Sequence, residues 1–190
     1  MIELKNKNSQ DAIVVILEET SIGALLIAKS RKGICNIALG DTVEQLLQEL
    51  KIDFTNVQYN IDDNVLNREV EHIIAMVETP KLVEHYDLQL DIKGTTFQQK
   101  VWGALWQVQC GETISYKELA QHIGMPKAVR AVANACAHNK LALAIPCHRV
   151  IYKNGALAGY RWGIQRKQIL LHRERQEYFV KNFNFVGLAL

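Results

Sequence analysis

A cysteine and a histidine stand side by side in the segment IPCHRV, as Cys147 and His148, and Arg149 follows them. The thiolate is the nucleophilic form of cysteine, and positive neighbours lower a thiol pKa, so this segment predicts an activated Cys147. Adjacent residues of an extended segment point in opposite directions, so adjacency alone does not explain how the imidazole would take the thiol proton. Two other interpretations stand beside this one: an inert buried cysteine and a metal ligand.

The other cysteines and histidines help to choose between these interpretations. The four cysteines have neither the close-paired spacing of a zinc site nor the density of a disulfide framework, and the remaining histidines show no ligand spacing. We therefore predict no metal and no cofactor, and we favour Cys147 as a nucleophile. Cys35, Cys110 and Cys136 lack its charged neighbours and fit the interpretation as inert core residues.

The elements that must position Cys147 are predicted to be helices. Thr95 or Thr96 precedes FQQKVWGALWQV, and Ser115 opens a Ser-x-x-Glu capping box before YKELAQHI. Gly124 to Pro126 then interrupt the pattern, and Lys127 begins KAVRAVANACAHN. Helix, short turn and helix is the layout of a helix-turn-helix, although any helical hairpin shares it.

The second helix of this pair is rich in alanine, and Arg130 is the one long charged side chain in its middle. Such a slim helix packs tightly against a neighbour, or it lies close to a nucleic-acid backbone in a narrow groove with the arginine as its probe.

The first half of the chain has a different pattern. AIVVILEE, GALLIAKS and GICNIAL predict an antiparallel meander, and Asp41 is expected to cap the helix TVEQLLQELK. NVLNREVEHIIAMVE has a helical period, and VEHYDLQLDI alternates like one more strand. We therefore expect an α/β domain over residues 1–92, with a small antiparallel sheet and helices. A mostly α-helical domain over residues 93–190, with a helix-turn-helix, is expected to follow.

Charge is segregated along the chain. Residues 1–92 hold 8 basic and 16 acidic side chains, whereas residues 93–177 hold 13 basic and 4 acidic ones. A basic surface keeps a protein soluble, but this asymmetry favours a nucleic-acid partner for the second half. The apolar run near the N-terminus has only six residues before Glu18 and Glu19, too few for a signal peptide or a membrane span. Together with the unpaired cysteines, this predicts a cytoplasmic protein with no membrane partner.

Together these motifs resemble a known family. IPCHRV, with ISYKELA and KAVRAVANACAHN before it and GYRWGIQRKQILLHRE after it, is similar to the O6-alkylguanine-DNA alkyltransferases, also called methylated-DNA-protein-cysteine methyltransferases. The resemblance is continuous from about Thr96 to Glu174, and GYRWG is closest to the bacterial branch. The first 90 residues match only in plan.

The resemblance implies a DNA-repair activity. A monomer would bind double-stranded DNA containing O6-alkylguanine through the minor groove and flip the damaged base out. It would then move the alkyl group, chiefly methyl, irreversibly onto Cys147 in a single turnover. Flipping is a physical requirement, since the O6 alkyl group lies inside the base stack. A non-catalytic sensor of alkylated DNA and a turnover Cys-His hydrolase remain the alternatives.

The family's roles transfer to this chain by position. His148 would act as the base through a water, Glu174 would orient His148, and Tyr160 would contact the guanine ring. Five positions would contact DNA or support that contact. Tyr116 would crowd the nucleotide's phosphate, Arg130 would fill the vacated stack, and Asn139 would tie the helix to the active-site turn. The other two positions are Ala128 and Ala131. The substrate pocket would comprise Cys136, Val150, Arg161 and Trp162.

Arg161 and Trp162 depart from the vertebrate members, which have Ser-Gly after the tyrosine. A tryptophan in the pocket wall would narrow it and disfavour bulky groups such as benzyl, although Trp162 fits a plain core position as well.

Overall fold

The N-terminal half is built on a four-stranded sheet. The computed structural model describes residues 12–55, 58–61, 68–83 and 88–176. Strands β1 (Ala12–Thr20), β2 (Gly23–Ser30) and β3 (Gly33–Gly40) form the expected antiparallel meander, with Val15 opposite Ala28 and Leu26 opposite Ala38. Both hairpin turns end on a glycine with positive φ, Gly23 and Gly33, and residues that carry a side chain rarely adopt such an angle. The sequence therefore predicted this part of the sheet.

A fourth strand corrects the expectation of a purely antiparallel sheet. β4 (Gln58–Ile61) pairs in parallel with β1, so the strand order is β3-β2-β1-β4. The segment VEHYDLQLDI is not a strand over its described residues 83 and 88–92, where the only ladder contact is a bridge between Ile34 and Leu90. Residues 84–87 of that segment lie outside the described residues.

Two helices cover this sheet. α1 (Val43–Asp53) buries Leu46 and Leu50, and α2 (Arg68–Glu78) buries Val70, Ile73 and Val77. Thr42, not Asp41, caps α1, because the Thr42 hydroxyl accepts from the Gln45 amide at 3.3 Å. The predicted start of α2 in NVLN falls outside the described residues.

Four α-helices are the main regular elements of the C-terminal half. Its helices are α3 (Thr96–Trp106), α4 (Tyr116–His122), α5 (Val129–Ala137) and α6 (Ile164–Arg175). Thr95 and Ser115 each form a complete capping box, which confirms both predicted starts. α5 begins two residues later than expected. Two short strands, β5 (Ile114–Ser115) and β6 (Val150–Ile151), pair in parallel and were not predicted.

The two halves meet along the edge of β3. The Ile37 amide donates to the Lys140 carbonyl and the Ala142 amide donates to the Ile37 carbonyl, both at 2.9 Å. The buried apolar side chains of both halves form one continuous cluster. The sheet edge is therefore covered by the segment that leads to Cys147, and the two halves share a core. Within the described residues, no helix is long and apolar enough to cross a membrane.

Candidate active site

Asn139 shapes the segment that carries Cys147. Its side-chain amide, 1% exposed, donates to the Ile145 carbonyl at 2.8 Å and to the Cys147 Sγ at 3.2 Å, and its oxygen accepts from the Leu141 amide at 2.9 Å. Leu143 in this segment has a φ of 67°, which is uncommon for a residue other than glycine. These bonds satisfy buried polar groups and aim the thiol, so Asn139 links the end of α5 to the active-site turn.

Cys147, His148 and Arg149 form one 3-10 turn that brings their side chains to different partners. His148 is 2% exposed, and its Nε2 lies 2.8 Å from the Glu174 Oε1. Arg149 donates to both oxygens of Glu174, through Nε at 3.1 Å and Nη2 at 2.8 Å. The Gly111 amide also donates to Glu174, at 3.3 Å. Glu174 on α6 is thus held from three sides.

The charges in this cluster define the state of the imidazole. The pKa of Glu174 is lowered to about 2, because hydrogen bonds and charges from His148 and Arg149 outweigh its burial. The pKa of His148 is lowered, chiefly by burial, so the ring is neutral at neutral pH. A neutral ring that donates from Nε2 to the carboxylate leaves Nδ1 as the basic nitrogen. Nδ1 has no partner among the described residues.

The environment of the Cys147 thiol differs from the one that the sequence predicted. Burial raises the pKa of Cys147 to about 11, opposed by the Asn139 hydrogen bond and by the charges of Lys167 and Arg161. Arg149, which was expected to activate the thiol, is occupied by Glu174 instead. Cys147 is therefore a buried thiol that needs a base, and the cations that favour its thiolate come from other parts of the chain.

A cavity of about 310 Å³ opens onto Cys147. Both tyrosines that face it have raised pKa values through burial, that of Tyr116 to about 12 and that of Tyr160 well above its ordinary value. The Tyr160 hydroxyl is buried with no partner among the described residues. The lining residues are Tyr116, Ala133, Cys136, Ala137, Cys147, Gly159, Tyr160 and Arg161. The structure thus brings together the predicted positions Tyr116, Cys136, Tyr160 and Arg161 around the thiol.

The other predicted DNA-binding positions lie on the outer face of α5. Arg130 and Ala131 are exposed and Ala128 is half-buried at the N-cap, whereas Val132, Ala135 and Cys136 face inward. The Trp102 indole on α3 donates to the Ala135 carbonyl at 2.9 Å and fixes this orientation. The helix therefore packs on one side and presents Arg130 on the other.

Two predicted pocket residues do not line the cavity. Trp162 is buried behind Tyr160, with the ring centroids 5.1 Å apart in an edge-to-face arrangement, and it contacts the space beside α1 and β3. The expectation that Trp162 walls the alkyl pocket is therefore wrong, and its alternative as a core residue fits. Val150 is fully buried, and its carbonyl accepts from Lys167.

Sequence reasoning missed Lys167 and Asp53. Lys167 is fully buried on α6, and its spacing with Leu170, Leu171 and Glu174 places it on the inward face, a helical period that was available in the sequence. Asp53 at the end of α1 binds Arg161 from the other half of the chain, for which the sequence holds no local signal. Among the described residues, no group of three or more His, Cys, Asp and Glu side chains is placed to hold a metal ion.

Fold and site together define a cysteine-dependent protein with a buried Cys-His-Glu arrangement and a neighbouring helix that exposes Arg130. Residues 96–176 match the family model described as the DNA-binding domain of 6-O-methylguanine DNA methyltransferase. The chain is 34% identical over 171 residues to the methylated-DNA-protein-cysteine methyltransferase of Debaryomyces hansenii, covering 85% of this chain and 90% of that protein. The chain belongs to the methylated-DNA-protein-cysteine methyltransferase family.

Two further similarities concern bacterial proteins. The chain is 49% identical over 155 residues to the regulatory protein Ada of Salmonella typhimurium, covering 82% of this chain and 43% of that protein. It thus spans less than half the length of this relative. The crystal structure of Mycobacterium tuberculosis OGT in complex with DNA superposes with a TM-score of 0.72 at 34% identity, covering 85% of this chain and 92% of that one.

Proposed function

We propose that the protein repairs alkylated DNA by moving a methyl group from O6 of guanine to the Sγ of Cys147. The observation that carries this proposal is the position of Cys147 at a cavity, with the next residue, His148, bonded to the Glu174 carboxylate. The names of the relatives support the same chemistry, and one solved relative is described in complex with DNA.

The proposed reaction begins with a proton transfer. Nδ1 of His148 takes the Cys147 proton through a water, and Glu174 stabilises the imidazolium that forms. The thiolate attacks the methyl carbon, the new S–C bond forms as the C–O6 bond breaks, and the electron pair leaves with guanine. The guanine then takes up a proton, and Tyr160 contacts its ring with the hydroxyl. A thioether does not revert under mild conditions, so each molecule acts once.

The DNA is proposed to bind on the face formed by α4 and α5, which act as a helix-turn-helix. Arg130 is exposed in the middle of α5, and the exposed Ala131 keeps that face slim enough for the minor groove. Tyr116 at the start of α4 lines the cavity and would turn the target nucleotide towards Cys147. Residues 1–92 and 93–190 are proposed to be two domains, of which the second carries these contacts.

The test is the intact mass of the protein after incubation with duplex DNA that contains O6-methylguanine. We expect one methyl group per molecule, on the Cys147 peptide, and no further turnover with excess DNA. Cys147→Ala should abolish the transfer and keep DNA binding, whereas Cys110→Ala, a matched change at a half-buried thiol outside the cavity, should keep both. A methyl group on another cysteine, repeated turnover, or binding without transfer would each contradict the proposal.

A further inference from the structure

Tyr152 is a large aromatic residue at the surface, a few residues after the active-site turn. It directly follows β6, and it is 53% exposed. A single exposed apolar side chain needs no explanation by itself, so the meaning of this residue depends on what its ring contacts.

The ring of Tyr152 packs on Tyr116, the first residue of α4. The two ring centroids lie 6.1 Å apart at an interplanar angle of 62°, which is an edge-to-face arrangement. Tyr116 lines the cavity that opens onto Cys147, whereas Tyr152 is not among the lining residues. The pair therefore joins a ring at the cavity to a ring outside it.

The pairing of β5 with β6 explains why these two rings meet. The last pair of this parallel ladder joins Ser115 to Ile151. Tyr116 and Tyr152 are the next residues on the two chains, and side chains at equivalent positions of neighbouring strands lie on the same face. The short ladder thus sets the start of α4 beside the residue that follows β6.

The backbone of Tyr152 is held by a tight turn. Its amide donates to the Ala156 carbonyl at 3.0 Å, and its carbonyl accepts from the Gly155 amide at 2.9 Å. Gly155 has a φ of 81°, which suits glycine, and the Asn154 Oδ1 accepts from the Ala156 amide at 3.1 Å. The ring of Tyr152 is therefore carried by a fixed backbone although it is exposed.

The ring of Tyr116 has few other restraints. In the described part of the chain its hydroxyl forms no hydrogen bond, and its side chain is only partly buried against the core. Its orientation therefore depends on packing, to which Tyr152 contributes the aromatic contact.

The proposed function gives this orientation a task. Tyr116 would turn the target nucleotide towards Cys147, and a side chain that pushes on a nucleotide has to keep its own place. A second ring packed on its edge or face resists that displacement.

We propose that Tyr152 is a positioning residue that holds the Tyr116 ring in the orientation that turns the target nucleotide into the cavity. This inference rests on the proposed functions of Cys147 and Tyr116. It gives the turn after β6 a part in the reaction with duplex DNA, although that turn does not line the cavity.

The experiment measures single-turnover methyl transfer at saturating concentrations of two substrates, duplex DNA that contains O6-methylguanine and the free base O6-methylguanine. The free base does not have to leave a stack, so its reaction does not need Tyr116 to turn it. Wild type is compared with Tyr152→Ala and with Tyr152→Phe, which keeps the ring. Ile52→Ala removes a 77% exposed apolar side chain from α1 and is the control. Thermal unfolding of each variant establishes that it is folded.

We expect Tyr152→Ala to slow transfer from duplex DNA about fivefold, the size of effect that one edge-to-face pair supports. Its rate with the free base and its Kd for DNA should equal those of wild type. Tyr152→Phe and Ile52→Ala should keep the wild-type rate on both substrates. An equal loss on both substrates, or a wild-type rate of Tyr152→Ala on duplex DNA, would overturn the proposal.

A double variant separates positioning from direct contact with DNA. If Tyr152 acts through Tyr116, Tyr152→Ala should have no further effect on duplex transfer in a protein that already carries Tyr116→Ala. A loss of the same size in that background would contradict the inference, because the exposed ring would then act on the DNA itself.

The contact between the rings is also measured without DNA. The nuclear magnetic resonance signals of the Tyr116 ring should move in Tyr152→Ala, since the neighbouring ring is lost, and should stay close to wild type in Tyr152→Phe. Signals that do not move in Tyr152→Ala would refute the positioning role alone. A wild type that transfers no methyl group refutes the proposed function, and the Tyr116 signals still report whether Tyr152 holds the ring.

Discussion

Glu174 is the residue that connects the imidazole, the guanidinium and the loop at Gly111. Its side chain is 3% exposed and its pKa is lowered from 4.5 to about 2. A carboxyl group whose pKa is lowered on folding stabilises the protein above its ordinary pKa, and that contribution is lost as the pH falls through the lowered value. Glu174 therefore links acid stability to the geometry behind Cys147.

We predict that Glu174→Gln removes part of the acid sensitivity of folding. At neutral pH the variant should lose about 3 kcal/mol of unfolding free energy, since the buried His148 and the part-buried Arg149 lose their anion. Between pH 4.5 and pH 2 the stability difference between wild type and variant should shrink, because the wild type loses the contribution of this carboxylate. Urea unfolding at a series of pH values measures this. Glu44→Gln, an exposed change on α1, should run parallel to wild type throughout, and a Glu174→Gln curve that did the same would contradict the prediction.

Residue types in IPCHRV were sufficient to single out Cys147, because a thiol beside an imidazole is rare chemistry. They were insufficient to assign the charges. Arg149 was expected to act on the thiol and instead binds Glu174, 25 residues away in the chain. The 3-10 turn sends neighbouring side chains to different partners, and that turn depends on Asn139 and on packing across the molecule. The position of Trp162 was predicted wrongly for the same reason. The orientation of its side chain depends on a turn whose geometry the sequence alone does not reveal.

Helix starts are the features of the elements that local chemistry determines most directly. The Ser115 hydroxyl accepts from the Glu118 amide at 3.2 Å, and the Glu118 carboxylate accepts from the Ser115 amide at 2.8 Å. Thr95 and Gln98 make the same pair of bonds at the start of α3. Each box satisfies two amides that a helix leaves unpaired, so both starts were predictable from a four-residue pattern.

We predict that Ser115→Ala and Thr95→Ala lower the stability of the protein equally but differ in their effect on methyl transfer. Each should lower the unfolding free energy by about 1 kcal/mol, since each removes one cap. Only Ser115→Ala should slow methyl transfer per folded molecule, because Tyr116 is the next residue and lines the cavity. Urea unfolding and single-turnover transfer rates measure the two effects. Equal transfer rates for the two variants would mean that the start of α4 does not position Tyr116.

The strands β4, β5 and β6 could not be predicted from local sequence patterns. β5 and β6 are two residues each, and their pairing joins the start of α4 to the residues after Cys147. β4 pairs with β1 from a distance of more than 40 residues in the chain. A strand this short is stabilised by its partner and not by its own propensity, so it leaves little trace in the sequence.

At the scale of the whole molecule, the acidic N-terminal half binds arginines of the basic C-terminal half. Asp53 binds Arg161 at 2.8 Å, and Asp41 binds Arg166 at 2.5 Å. A third pair between the halves joins the Arg173 Nη1 to the Glu78 Oε2 at 3.3 Å. The charge segregation that indicates a nucleic-acid partner therefore also joins the halves, and part of the basic charge is not free for DNA.

Asp53 is the contact of this set that reaches the active site. It sits at the end of α1 and pairs with Lys140 at 3.3 Å as well as with Arg161, and Arg161 lines the cavity beside Cys147. Lys140 also begins the segment that pairs with β3. One carboxylate of the N-terminal half thus contacts both the segment that leads to Cys147 and the segment that carries Arg161.

We predict that Asp53→Asn slows methyl transfer from duplex DNA several-fold and lowers the unfolding free energy by about 1 kcal/mol. Asparagine keeps the shape of the side chain but removes its charge, so Arg161 is no longer held in place and the cavity wall loosens.

Asp41→Asn is the matched control, since it removes the same charge from a pair between the halves whose arginine does not line the cavity, and Asp41 is 81% exposed. That variant should keep the wild-type transfer rate and stay within about 0.5 kcal/mol of wild-type stability. Single-turnover rates per folded molecule, with urea unfolding on the same samples, decide the outcome. If Asp53→Asn transfers as fast as Asp41→Asn, the N-terminal half contributes stability alone and the position of Arg161 is set within the C-terminal half.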